Sequence, residues 1–156
     1  MPIEVTLNQS PVRKRELQEQ LTALLPQWFG KPDSNAAYAK QAEVLDGYIA
    51  MSEGAARGLL LLKQTSPISA EIFWMGVDPR HHRAGIGRAL IDRACTDARS
   101  TKTKYLFVAT LHPDDPYEPY QRTRRFYEAQ GFRFVLEEQF PADAENPLAY
   151  YIKELI

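Results

Sequence analysis

The chain has 156 residues, of which 44% are hydrophobic and 25% charged, with a formal net charge of −1. That length and composition suit one globular domain, residues 1–156, able to bury a core without disulfides or metals. The near-neutral balance excludes a global basic field, so no nucleic-acid partner is expected. One cysteine, Cys95, excludes an internal disulfide framework and a Cys-based zinc site.

The first residues, MPIEVTLNQS, lack a basic region followed by an apolar run, so no signal peptide is expected. The apolar stretches, Leu59 to Leu62 among them, are too short to span a membrane. A cytoplasmic location and no membrane partner are the expectations. The three histidines form no recognisable metal motif, and no metal is expected.

In chain order, Ile3-Glu4-Val5-Thr6-Leu7 alternates as a half-buried strand does. Ser10-Pro11 offers an N-cap followed by proline in the first helical turn. Leu17, Leu21, Leu24 and Leu25 then share one helical face, until Pro26 and Gly30 end the helix. Trp28 and Phe29 fall on the irregular connection. Asp33 or Ser34 is expected to cap a second helix over Asn35–Glu43. Strands come next at Val44–Ser52 and Arg57–Lys63 around the turn Glu53-Gly54-Ala55-Ala56, and a third at Ala70–Val77. A helix is predicted from Gly85 to Arg99, with Ile86, Leu90, Ile91, Ala94, Cys95 and Ala98 on its apolar face. Beyond it lie a strand at Lys104–Thr110, a loop at Leu111–Pro119 and a helix at Tyr120–Gln130, stopped by Gly131. Phe132, Phe134 and Leu136 alternate along a further strand, with Phe126, Phe132 and Phe134 expected in the core. Leu148–Leu155 closes the chain. The order β-α-α-β-β-β-α-β-α-β-β is that of a mixed α/β (α+β) domain.

The chemistry concentrates in Val77-Asp78-Pro79-Arg80-His81-His82-Arg83-Ala84-Gly85-Ile86-Gly87-Arg88. A strand, a basic loop, Gly-x-Gly and a helix start succeed one another. Helix N-termini leave about four N–H groups unpaired, carry a partial positive charge and bind phosphate. Gly85 and Gly87 let an anion approach the backbone, and Arg83 and Arg88 can add charge. A loop that needs glycine only for its turn is the plain alternative. A Rossmann fingerprint is excluded because Leu90 stands at the third glycine position. A P-loop is excluded because Gly-Lys-Ser/Thr is absent.

This stretch resembles the first signature of the GNAT superfamily of N-acetyltransferases: Val-x-Pro, then Gln/Arg-x-x-Gly-x-Gly/Ala. It departs from the pattern at His82, which stands at the Gln/Arg position. Arg124-Arg125-Phe126-Tyr127-Glu128-Ala129-Gln130-Gly131-Phe132 resembles the second, Phe-Tyr-x-x-x-Gly-Phe on a helix. The resemblance is clear over Ala70 to Val135 and looser before it. It implies a mostly antiparallel central sheet with flanking helices. It also implies that Met75, Val77, His82, Arg83, Ala84, Gly85, Ile86, Gly87 and Arg88 bind acetyl-CoA as cosubstrate. The family's strand at Ala70–Val77 would pair with the pantetheine arm, and the Val77 N–H would polarise the thioester. The implied reaction is direct attack by a primary amine in a ternary complex. Tyr127 would protonate the CoA thiolate, a role suited to a phenol of pKa ~10; packing on its own helix with Tyr120 and Thr123 is the alternative. Glu71 is the candidate base, against a solvent-facing strand glutamate, with Asp46 and Glu53 behind it. Arg122, Arg124 and Arg125 either assist the CoA phosphates or, as expected of a charged helical run, face solvent. Acceptor contacts would come from segments holding Trp28, Phe29, Tyr38, Tyr48, Asp114, Asp115, Tyr117, Glu118 and Tyr120. The acceptor would be a small molecule or peptide amine, with a homodimer allowed. A non-catalytic acyl-CoA-binding module on the same fold is the alternative function.

Overall fold

The computed structural model describes residues 2–111, 114–143 and 145–156. Its strands are β1 (Glu4–Asn8), β2 (Asp46–Ser52), β3 (Ala55–Ser66), β4 (Ser69–Val77), β5 (Tyr105–Leu111), β6 (Arg133–Glu138) and β7 (Leu148–Glu154). Its helices are α1 (Pro11–Leu24), α2 (Pro32–Ala42), α3 (Ile86–Ser100) and α4 (Glu118–Ala129), with single 3-10 turns at Pro79–His81 and Pro141–Asp143. The strands order as β1-β2-β3-β4-β5-β7-β6. β4 and β5 run parallel, whereas β1–β2, β2–β3, β5–β7 and β6–β7 are antiparallel. This is the mixed, mostly antiparallel sheet that the family resemblance implies.

The chain divides into two compact units, one of residues 1–63 and 73–97, the other of residues 64–72 and 98–156. In the first unit, α1 starts as expected, with the Ser10 hydroxyl accepting from the Arg13 N–H at 3.2 Å. Such a cap is worth about 1 kcal/mol. Leu17, Leu21, Ala42, Ile49, Leu59, Leu61 and Trp74 form a buried cluster under α1 and α2. Successive strand residues point to opposite faces, so Gly58 faces away from that cluster. A Cβ there would strike Ile86 and Leu90, which places α3 on the opposite face. The predicted apolar stripe of α3 is buried throughout.

The structure departs from four local expectations. α2 begins at Pro32 rather than Asn35; neither Asp33 nor Ser34 caps it, because proline's fixed φ starts the helix after Lys31. Leu24 is exposed, at the end of α1, and Val44 lies before β2 rather than in it. The β2–β3 turn has two residues, not four: Glu53 (φ 52°) and Gly54 (φ 78°) both take the left-handed conformation that matches strand twist. Past that turn, Ala50 pairs with Gly58 and Met51 with Ala56, so Arg57 is the extra residue of a β-bulge.

In the second unit, β4 pairs with β5 from Ser69–Tyr105 to Glu71–Phe107, and β5 pairs with β7 from Tyr105–Glu154 to Leu111–Leu148. β6 ends the strand order, and all six of its residues are exposed. Phe134 is therefore 47% exposed rather than core, whereas Phe132, just before the strand, is buried. Alternation along a sequence marks a strand but does not say that the strand lies at an edge. Of the predicted Leu111–Pro119 loop, His112 and Pro113 lie outside the described residues; Leu111 ends β5, and α4 begins at Glu118.

Candidate active site

Asp78 is the first residue after β4, and it organises the loop that leads into α3. Its carboxylate, 3% exposed, accepts from the Arg80 N–H at 3.0 Å, Arg80 Nε at 3.0 Å and Arg80 Nη2 at 2.7 Å. Arg57 Nη1 stands 3.7 Å away. The Arg80 hydrogen bonds hold the Asp78 carboxyl at about 2, against the opposing effect of burial. The Asp78 N–H donates to the Arg57 carbonyl at 2.8 Å. The bulge in β3 thus presents Arg57 to the loop twice, by carbonyl and by guanidinium. Sequence reasoning missed Asp78 as a site residue; its signal is an aspartate directly before a proline, an N-cap pattern.

The loop then turns through two left-handed residues, Arg83 at φ 66° and Gly85 at φ 87°. A non-glycine residue in that region is uncommon and costs energy, so Arg83 is a point of backbone strain. The Gly85 carbonyl accepts from the Ala89 N–H at 3.0 Å, the first helical bond of α3. The N–H groups of Ile86, Gly87 and Arg88 therefore precede any intrahelical acceptor. Arg83, Ala84, Gly85 and Arg88 are exposed, Gly87 is half-buried and the Ile86 side chain is in the core. The loop's arginines differ in what they hold. Arg80 is committed to Asp78, and Arg88 approaches Asp92 at 3.7 Å.

Met75 and Val77 are half-buried on β4. The Val77 carbonyl accepts from the His82 ring Nε2 at 3.0 Å. His82 also meets Trp28 edge to face, with centroids 6.0 Å apart. Two further ring pairs link the α1–α2 region to β4: Phe29–Trp74 at 5.2 Å and Tyr38–Phe73 at 5.6 Å. Of the residues proposed for acceptor contacts, Tyr48 is placed elsewhere. It is buried, its hydroxyl donating to Asp97 at 2.9 Å.

In the second unit, Tyr127 is 5% exposed. Its ring lies edge to face against Phe126 at 5.3 Å and Phe132 at 5.4 Å. Burial pushes its phenol pKa well above the ordinary value, so it stays protonated. The spacing of its motif has a folding reason. Gly131, at φ 92°, comes directly after the cap residue Gln130. The Gly131 N–H donates to Glu128 O at 3.0 Å and the Phe132 N–H to Tyr127 O at 3.0 Å. This is a Schellman motif, which pairs the last carbonyls and brings an apolar residue beyond the cap onto the third residue before it. Tyr127 and Phe132 are those two residues.

Arg124 also departs from expectation. It is 5% exposed rather than solvated, with Nη2 donating to the Asp115 carbonyl at 2.8 Å, which ties α4 to the segment before it. Arg122 and Arg125 are exposed as predicted. Glu71 is half-buried on β4. Tyr150 is pushed up chiefly by burial, then by its 2.8 Å hydrogen bond to Glu138, with the Glu71 charge adding to the effect. Asp114 and Asp115 line an open cavity of about 340 Å³ with Glu137 and Glu145.

These features can be set beside known proteins. The model of the acetyltransferase (GNAT) domain matches residues 36–134, more than half of the chain. A GNAT-family protein from Desulfovibrio desulfuricans has a TM-score of 0.83 at 19% identity, covering 99% of this chain and 100% of its own. An aminoglycoside 6'-N-acetyltransferase complexed with coenzyme A gives 0.72 at 19% identity, covering 100% and 98%. The ribosomal-protein-S18-alanine N-acetyltransferase of Escherichia coli gives 0.72 at 15% identity, covering 99% and 94%. Such low identities speak for the fold. The search of curated proteins finds no match. The matched domain, the strand order and the loop before α3 together make this chain a member of the GNAT acetyltransferase family.

Proposed function

We propose that the whole chain acts as one N-acetyltransferase domain that moves the acetyl group of acetyl-CoA to a primary amine. The observation that carries this reading is the start of α3. Three backbone N–H groups, those of Ile86, Gly87 and Arg88, come before the first helical acceptor, behind two left-handed loop residues. A diphosphate satisfies such amides and the positive end of the helix dipole. The neighbour complexed with coenzyme A supports the same ligand class.

In this reading the neutral amine attacks the thioester carbonyl directly. The C–N bond forms, the C–S bond breaks, and the thiolate leaves. Glu71 takes the proton lost by the amine, and Tyr127 gives one to the thiolate. Tyr127 suits a donor because burial keeps it protonated. Its role belongs to the proposal, because the ring also has a purely structural use at the helix end. That use is the one observation that favours the second reading, a non-catalytic acyl-CoA-binding module.

The test is release of free thiol from acetyl-CoA across a panel of small amines and peptides, beside calorimetric titration with acetyl-CoA. Acceptor-dependent thiol release supports the transferase. Binding with no release from any amine supports the binding module, and no binding ends both readings.

A further inference from the structure

The Val77–Asp78 peptide is held at both of its polar ends. Its N–H, that of Asp78, donates to the Arg57 carbonyl at 2.8 Å. Its C=O, that of Val77, faces His82 Nε2 at 3.0 Å. A carbonyl can only accept, so Nε2 carries the proton, which fixes the tautomer of the neutral ring. The same ring meets Trp28 edge to face, with planes 80° apart. Trp28 lies on the connection between α1 and α2, far from His82 in sequence.

We propose that His82 is a positioning residue that locks the peptide at the end of β4 and ties the loop before α3 to the α1–α2 connection. The proposal rests on the acetyl-CoA reading for its functional consequence. The locked peptide leads into Asp78, whose carboxylate in turn sets Arg80 and the 3-10 turn. A rotation of this peptide is passed through that turn to Arg83 and Gly85, and so to the direction of the amides at the start of α3. The Trp28 contact makes that setting depend on a segment that holds none of the amides. His82 therefore acts through the backbone, with Nε2 given to Val77 rather than to a ligand. A glutamine at this position, usual in the family signature, keeps a donor for the carbonyl. It loses the ring that Trp28 meets.

The test compares full-length wild type, His82→Ala, His82→Gln, Trp28→Ala and the two doubles that combine Trp28→Ala with each His82 variant. Each is titrated calorimetrically with acetyl-CoA and followed by amide hydrogen exchange over residues 76–88. His82→Ala weakens acetyl-CoA binding about 3- to 10-fold, the scale of one hydrogen bond, and speeds exchange at the Asp78 amide. His82→Gln restores most of that loss. Trp28→Ala weakens binding about 2- to 5-fold, the scale of one aromatic pair, and adds nothing in either His82 background. Unchanged affinity and exchange in a folded His82→Ala protein overturn the proposal, as does a Trp28→Ala loss that persists without the imidazole. If His82→Ala does not fold, the Trp28→Ala comparison in wild type and in His82→Gln decides the matter alone. If wild type binds no acetyl-CoA, the functional reading fails, and exchange at Asp78 still reports whether the lock exists.

Discussion

The loop from Asp78 to Arg88 and the end of α4 around Tyr127 each carry one of the two family signatures, and they are built in opposite ways. In the loop, polar side chains shape an exposed backbone. Asp78, Arg80, Arg57 and His82 spend their hydrogen bonds on one another and on the main chain, and the product is a row of amides. At the end of α4 the backbone is satisfied by a Schellman motif, and the product is a buried ring. A glycine signature is therefore close to a direct statement of function, because the amides themselves would do the binding. A tyrosine signature is not, because helix termination alone explains Tyr127, Gly131 and Phe132 at that spacing.

Substitutions at the two regions separate these roles. The largest effect is expected from Tyr127→Phe. The ring stays against Phe132, so the melting temperature changes little and acetyl-CoA affinity stays within about 2-fold. Turnover falls ~10²–10⁴-fold if the hydroxyl is the acid, and unchanged turnover would leave the ring with its structural role alone.

Asp78→Asn comes second and acts on stability. The carboxyl is held at about 2 in the folded chain against ~3.9 for an unperturbed aspartate. A depressed folded pKa stabilises fully above the unfolded value and is lost as pH falls through the folded one. The variant should be less stable by about 1–3 kcal/mol at neutral pH, the scale of hydrogen bonds to a charged group. Denaturant melts should show the gap closing as pH falls from about 4 towards 2.

Gly85→Ala ranks third. The left-handed conformation costs a non-glycine residue about 1–2 kcal/mol; a free loop that relaxes out of it must be driven back on binding, so acetyl-CoA affinity should fall by up to roughly 5- to 30-fold while α3 stays folded by circular dichroism. Arg83→Gln is the smallest. Its side chain is exposed and screened, so binding should weaken only ~2- to 5-fold, and the difference should shrink in high salt.

The same contrast explains how far the sequence reaches. Local rules act within a few residues, and they placed the Ser10 cap, the buried stripe of α3 and the glycine stop of α4. Pro32 defeated the choice between Asp33 and Ser34, because a proline that presets φ can start a helix without a capping side chain. The exposure of Phe134 was not legible, because an edge strand and an interior strand share one alternating pattern. Within the site, Gly85 and the amides after it were legible from spacing. His82 against Val77 and Trp28 was not, and neither was Arg57 against Asp78. Those contacts depend on a bulge and on a helix connection distant in sequence, and their only local trace is aspartate before proline.

The central claim is that the amides opening α3 hold the diphosphate of acetyl-CoA. Amide NMR of the ¹⁵N-labelled chain during titration with CoA tests it most directly. The account predicts saturable shifts at the N–H groups of Ile86, Gly87 and Arg88, abolished when CoA is replaced by pantetheine, which lacks the diphosphate. Saturable binding that leaves those three amides unmoved would contradict it.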